Sequence, residues 1–281
     1  MFNLRFQKIF IPLSFLIFLL CHSFVVAGLN VVPKVIFVNS PGRFSTITVT
    51  NPGDKPIEVW IDAKFGYVIS DDSGKPIVKY DSTVGIPESA TDWLRFYPQR
   101  FFLEGGETQL VRVAINAPLT ARDGEYWARI MLSNKNRNIP TGGQEGRAGR
   151  SGFSFAQTIG IPFHYRRGAV ITGLDVRNLD VTTSPQDIKV SFDMVRTGNA
   201  AYWGTVAFRL LDKDGVVKFT DTKRIAVYKT YSANVSLNRT GISAGTYTLD
   251  VNFATGARGD VRQTDLVQSQ SLRITRQLVL E

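Results

Sequence analysis

From residue 29 onward apolar and polar residues alternate in short runs, separated at close intervals by glycine, proline, asparagine or aspartate. A period of two places successive side chains on opposite faces of a strand, so each run predicts a strand with one buried face. Runs at 31–38, 44–50, 57–63, 92–97, 108–114, 126–133 and 153–165 form one group. Runs at 170–176, 188–195, 203–211, 216–220, 233–237, 246–253 and 266–274 form a second. The breaks carry turn chemistry, as in Asn51-Pro52-Gly53-Asp54, Asp71-Asp72-Ser73-Gly74 and Asp212-Lys213-Asp214-Gly215. Two such groups, with no helical periodicity, predict an all-β protein of two immunoglobulin-like β-sandwich domains in tandem. The last of those turns reads as a hairpin and not as a calcium loop, because the rest of an EF-type ligand series is missing.

The first 27 residues have a different pattern. Arg5 and Lys8 precede an apolar run at 9–20, and Val25-Val26-Ala27 supplies small residues for cleavage. This is the layout of a secretory signal peptide, and the run is short of the roughly 20 residues a membrane span needs. Cys21, the one cysteine, falls inside it, so the exported chain relies on its cores and not on disulfides. The expected organisation is a signal at 1–27, a first sandwich at 28–167 and a second at 168–281. The junction at Arg166-Arg167-Gly168 is short, which predicts a fixed angle between the domains with a cleft between them. The expected location is the periplasm, with the cell surface as the alternative. Net charge is +9, or +7 without Arg5 and Lys8, and the basic residues are scattered, as on a solvated surface. No nucleic-acid motif is present.

Beyond the leader His164 is the only histidine, which excludes a multi-histidine metal site. No Gly-x-Ser-x-Gly elbow accompanies it, and the glycine-rich stretches lack the Lys-Ser/Thr ending of a phosphate loop. The expectation is a protein that is not an enzyme and carries no cofactor and no metal. Segment 134–152 is rich in glycine and arginine and nearly free of apolar residues. It reads as a loop with either a binding role or a passive one.

The strongest signal is a row at every second position: Phe153, Phe155, Gln157, Ile159, Ile161, Phe163 and Tyr165. One strand of that length outruns the usual five or six residues. Its apolar face therefore either lies wholly in its own core or continues into a partner's, by strand addition.

The first domain resembles the amino-terminal domain of periplasmic pilus-assembly chaperones, the PapD-like family. The resemblance rests on Val31-Val32-Pro33-Lys34-Val35-Ile36-Phe37, Ile47-Thr48-Val49-Thr50-Asn51-Pro52 and Leu94-Arg95-Phe96-Tyr97-Pro98, in the family's order. It continues through the stretch from Phe102 to Val113, Asp123-Gly124-Glu125-Tyr126-Trp127, and the long row ending at Arg166. The second domain resembles the family only as a generic immunoglobulin-like or fibronectin-like module. The resemblance implies a chaperone for pilus or fimbrium biogenesis that lends a strand to a pilin-like or other exported β-subunit and passes it to an outer-membrane usher. Phe153, Phe155, Ile159, Ile161 and Phe163 would form the donated row. Lys34 and Arg166 are candidates to anchor the subunit's terminal carboxylate. Pro162 stands where the family has its second basic anchor, a departure from the pattern. Arg112 and Glu125 match structural positions, expected to pair with each other or with the second domain. The alternative function is a structural or adhesive envelope protein with no free subunit client.

Overall fold

Alternation between Asn30 and Arg167 becomes eleven strands in a computed structural model that describes residues 28–82, 85–136, 157–256 and 258–281, with Lys135 and Asn136 described by backbone alone. They are β1 (Asn30–Val32), β2 (Ile36–Asn39), β3 (Phe44–Thr50), β4 (Ile57–Lys64), β5 (Gly66–Ser70), β6 (Pro76–Tyr80), β7 (Leu94–Tyr97), β8 (Arg100–Leu103), β9 (Thr108–Ile115), β10 (Gly124–Asn136) and β11 (Gln157–Arg167). Two sheets, ordered β1-β3-β9-β7 and β2-β11-β10-β4-β8, face each other. The inward positions of both fill the space between them, with Ile47, Val49, Val111 and Val113 opposing Ile61, Ile130, Leu132 and Phe163. That is the packing of an aligned β-sandwich.

The run expected as one strand at 31–38 is two. β1 pairs antiparallel with β3, and β2 pairs parallel with β11, so the chain changes sheets between Val32 and Ile36. Pro33 lies in that crossing and has no N–H to offer a ladder.

The second sandwich comprises β12 (Thr172–Thr183), β13 (Asp187–Gly198), β14 (Tyr202–Leu211), β15 (Val217–Val227), β16 (Thr230–Asn238), β17 (Gly245–Ala254) and β18 (Leu272–Leu280). Its sheets are β12-β13-β16 and β15-β14-β17-β18, and Phe192, Phe208 and Phe253 sit between them.

A hairpin of β5 and β6 belongs to neither sandwich. It leaves the first domain after β4 and reaches the second. Ser232 N donates to Ser70 Oγ at 3.0 Å and the Tyr231 hydroxyl donates to Gly74 O at 3.2 Å. Gly74 closes its turn at φ +79°, and a Cβ there would lie 2.5 Å from Asn234 N, so both conformation and close approach require glycine. The sequence analysis assigned the turn but neither strand, because β6 is exposed along its whole length and has no buried face to generate alternation.

Candidate functional site

β11 is where the sequence placed its strongest signal, and the structure divides it into two faces and two edges. Alternation turns Ile161, Phe163 and Tyr165 into the first sandwich's own core, with Ile161 2% and Phe163 0% exposed. These two, expected among the residues offered to a partner, are held inside because odd positions of β11 face the opposite sheet. Ile159 is half-buried against the same core. Phe153 and Phe155 lie outside the described residues.

The edges differ more. β10 pairs with β11 along its full length, from Asn134↔Gln157 to Gly124↔Arg167. On the other side β2 covers only Phe163–Arg166. Ser40 N donates to Arg166 O, whereas Gln157 N donates toward β10, to the side-chain Oδ1 of Asn134. Main-chain groups alternate sides along a strand, so even-numbered residues turn their N–H and C=O away from β10. Thr158, Gly160 and Pro162 therefore aim their polar backbone at an edge that has no strand neighbour among the described residues. Pro162 lacks its N–H on that bare side, which is why proline is accepted in the strand without breaking the β10 ladder.

On the face of these even positions, His164 and Arg166 turn to the second domain and enter a buried polar cluster there. Glu125, opposite Arg166 across the β10–β11 ladder, is 2% exposed. Its Oε2 accepts from Arg166 Nε at 2.7 Å, and its Oε1 accepts from Ala201 N at 3.1 Å. His164 Nδ1 stands 3.0 Å from the same Oε1, and the Tyr228 hydroxyl is 3.1 Å from His164 Nε2. Burial pushes the His164 imidazole below its ordinary 6.5, outweighing the attraction of Glu125. The ring is then neutral, with Nδ1–H donating to Glu125 and Nε2 accepting from Tyr228. Burial also acts on Glu125, upward, but the charge of Arg166 and the hydrogen bonds from His164 and Arg166 overcome it and hold the carboxyl at about 2. Desolvation pushes the Tyr228 hydroxyl upward, which keeps it a donor.

Around this cluster Phe37 stacks on His164 at 4.7 Å, and Trp203 meets the ring edge-on at 5.2 Å. Phe65, Tyr67 and Trp127 from the first domain pack against Ala201, Trp203, Tyr228 and Leu266 from the second. The seam between the sandwiches is thus an aromatic layer with one satisfied carboxylate at its centre. His164 is 0% exposed, and both its ring nitrogens are engaged within this layer.

Two sequence expectations change here. Arg112 does not meet Glu125; its guanidinium lies over the Phe44 ring at 4.9 Å on the outer face of the other sheet, where alternation along β9 directs it. Glu125 instead reaches the second domain through Ala201. Arg166, expected to await a carboxylate, already holds Glu125 and donates through Nη1 to Asp265 O at 2.6 Å. Lys34 is exposed and lines a groove of about 430 Å³ between the domains, together with Asp260, Arg262 and Asp265. The role of Tyr228 was missed; a tyrosine at the end of a strand carries no local signal for a contact made across domains. Among the described residues no group of three or more His, Cys, Asp or Glu could hold a metal ion, and no helix is long and apolar enough to cross a membrane.

No protein-family model and no curated protein sequence matches the chain. Among solved structures it is similar to the CsuC–CsuE chaperone–tip adhesion subunit pre-assembly complex of Acinetobacter baumannii, at 10% identity over 88% of this chain and 98% of that chain, TM-score 0.44. It is also similar to the CupB2 chaperone of Pseudomonas aeruginosa, at 13% identity over 90% and 100%, TM-score 0.40. The E. coli chaperone DraB is a third, at 14% identity over 91% and 96%, TM-score 0.39. Two of these are described as chaperones and the first as a complex containing one, whereas the two-sandwich architecture of this chain stands on the strand ladders themselves.

Proposed function

We propose that this chain is a non-enzymatic, exported assembly chaperone of the periplasm that holds a β-rich subunit by adding the bare edge of β11 to the subunit's incomplete sheet. The observation that carries the reading is the half-covered strand. Thr158, Gly160 and Pro162 present two N–H donors and three carbonyl acceptors with no partner strand among the described residues. An open edge beside a packed core is a template for another chain's strand. With Ile161 and Phe163 turned inward, affinity comes from the main chain of 158–162, the half-buried Ile159, and Phe153 and Phe155 upstream. Lys34 is the exposed cation left for a subunit carboxylate, and the neighbouring Asp260 and Asp265 temper it. An outer-membrane usher would receive the subunit.

The test is Thr158→Pro. It deletes an N–H on the bare side and, toward β10, only the exposed hydroxyl contact with Ser133, so the main-chain ladder to β10 and the fold persist. Tagged residues 28–281, expressed in the native periplasm, should bring down a stoichiometric small β-rich subunit. The Thr158→Pro variant should lose it while its unfolding midpoint stays within a few degrees of the parent. Retention of the subunit by this variant would sink strand addition. Recovery of the parent alone, or with envelope components only, would favour the structural reading.

A further inference from the structure

Where the β5–β6 hairpin leans on the second sandwich, a cavity of about 560 Å³ opens between the edges of β15 and β16. Its volume falls in the range of about 300–1,000 Å³ typical of small-molecule sites. The floor is the core itself: Phe192, Val206 and Ala233 all reach it and all are buried. Ile225 and Val235 form the walls, one from each sheet.

The mouth is cationic. Lys75 comes from the hairpin, and Lys223 and Arg224 from β15. No carboxylate lines the cavity among the described residues. Lys223 shares the core-facing side of β15 with Phe219 and Ile225, so a charge stands directly above apolar walls. Lys223 has Asp221 at 2.7 Å and Arg224 has Asp260 at 3.7 Å, whereas Lys75 makes no ion pair among the described residues, although the Asp71 carboxylate of the same turn feels its charge. An apolar slot closed at one end by core side chains and ringed at the other by cations matches a ligand with a hydrocarbon tail and a negative head.

We propose that this cavity binds a single-chain anionic amphiphile of the fatty-acid class, its tail between the two sheets and its carboxylate on Lys75 and Lys223. Because Lys75 belongs to the first domain's hairpin, a bound molecule touches both sandwiches. The site is separate from the bare edge of β11 and stands or falls independently of strand addition.

Isothermal titration of residues 28–281 with sodium decanoate tests it. Saturable one-to-one binding is expected. Octanoate, two methylenes shorter, should bind about tenfold more weakly. Decanol, which lacks the charge, should be weaker as well, and so should decanoate with the Lys75→Gln, Lys223→Gln double variant. Ala233→Leu fills the slot and should abolish binding. If that variant fails to fold, the double variant decides, since both lysines are at the surface. Absence of saturable binding to the folded parent would overturn the proposal, as would affinity unchanged by chain length and by loss of the two lysines.

Discussion

Replacing Glu125 by glutamine preserves shape and removes charge at the centre of the interdomain seam. Both carboxylate oxygens face donors: Ala201 N–H and His164 Nδ1–H at Oε1, Arg166 Nε–H at Oε2. A glutamine must turn its NH2 toward one of those sides. Toward Oε1 it opposes the Ala201 amide, and toward Oε2 it opposes a buried guanidinium. The His164 tautomer can adjust, but the backbone amide and the arginine cannot. Holding the carboxyl at about 2, against an ordinary 4.5, corresponds to about 3 kcal/mol. That agrees with the roughly 3–5 kcal/mol lost when one partner of a buried ion pair is removed.

The sign of the pH dependence follows. A carboxyl with a depressed folded pKa contributes its full stabilisation above 4.5 and loses it as pH falls toward 2. His164, depressed below 6.5, acts in the same direction, because the unfolded chain takes up its proton first on acidification. The glutamine variant keeps the histidine effect and lacks the carboxylate one. Urea unfolding followed by tryptophan fluorescence at pH 7 should therefore separate parent and Glu125→Gln by about 3 kcal/mol, with about 2 kcal/mol of that gap gone by pH 3. A gap below about 1 kcal/mol at pH 7, or one that is the same at pH 3, would refute the assignment of Glu125 as an ionised lock.

Ile161→Asp places a charge in the first sandwich's core, where Ile161 is 2% exposed, and should abolish cooperative unfolding of that domain in a thermal scan; a folded variant that only loses a partner would mean the side chain faces outward. Arg129 is 7% exposed and its Nε has no partner among the described residues, so Arg129→Met should raise stability by about 1 kcal/mol or more in urea. A loss of stability would show that its buried guanidinium is satisfied.

Period-two alternation is a local property, and it placed most strands of both sandwiches because each needs one apolar face whatever its partners are, though it gave no strand at β8 and set the last at 266–274 where β18 runs Leu272–Leu280. It gave no warning where that rule lapses. β5 and β6 escaped because the hairpin's buried contacts are made with another domain and not along one face. The run at 31–38 read as one strand because alternation continues across Pro33 and says nothing about which sheet each half joins. In the same way, the row ending at Tyr165 marked β11 as a strand with an apolar face, while core-only and partner-facing readings stayed equivalent. The tertiary structure turned Ile161 and Phe163 into the first sandwich's own core, and only the position of β2 decides which part of the strand's edge is covered. Glu125 and Arg166 were visible as charged residues of interest, yet their pairing was set by strand register, which brings residues 41 positions apart directly opposite. Local chemistry in the sequence thus determined the elements, and long-range register and domain docking decided which of their surfaces remain open.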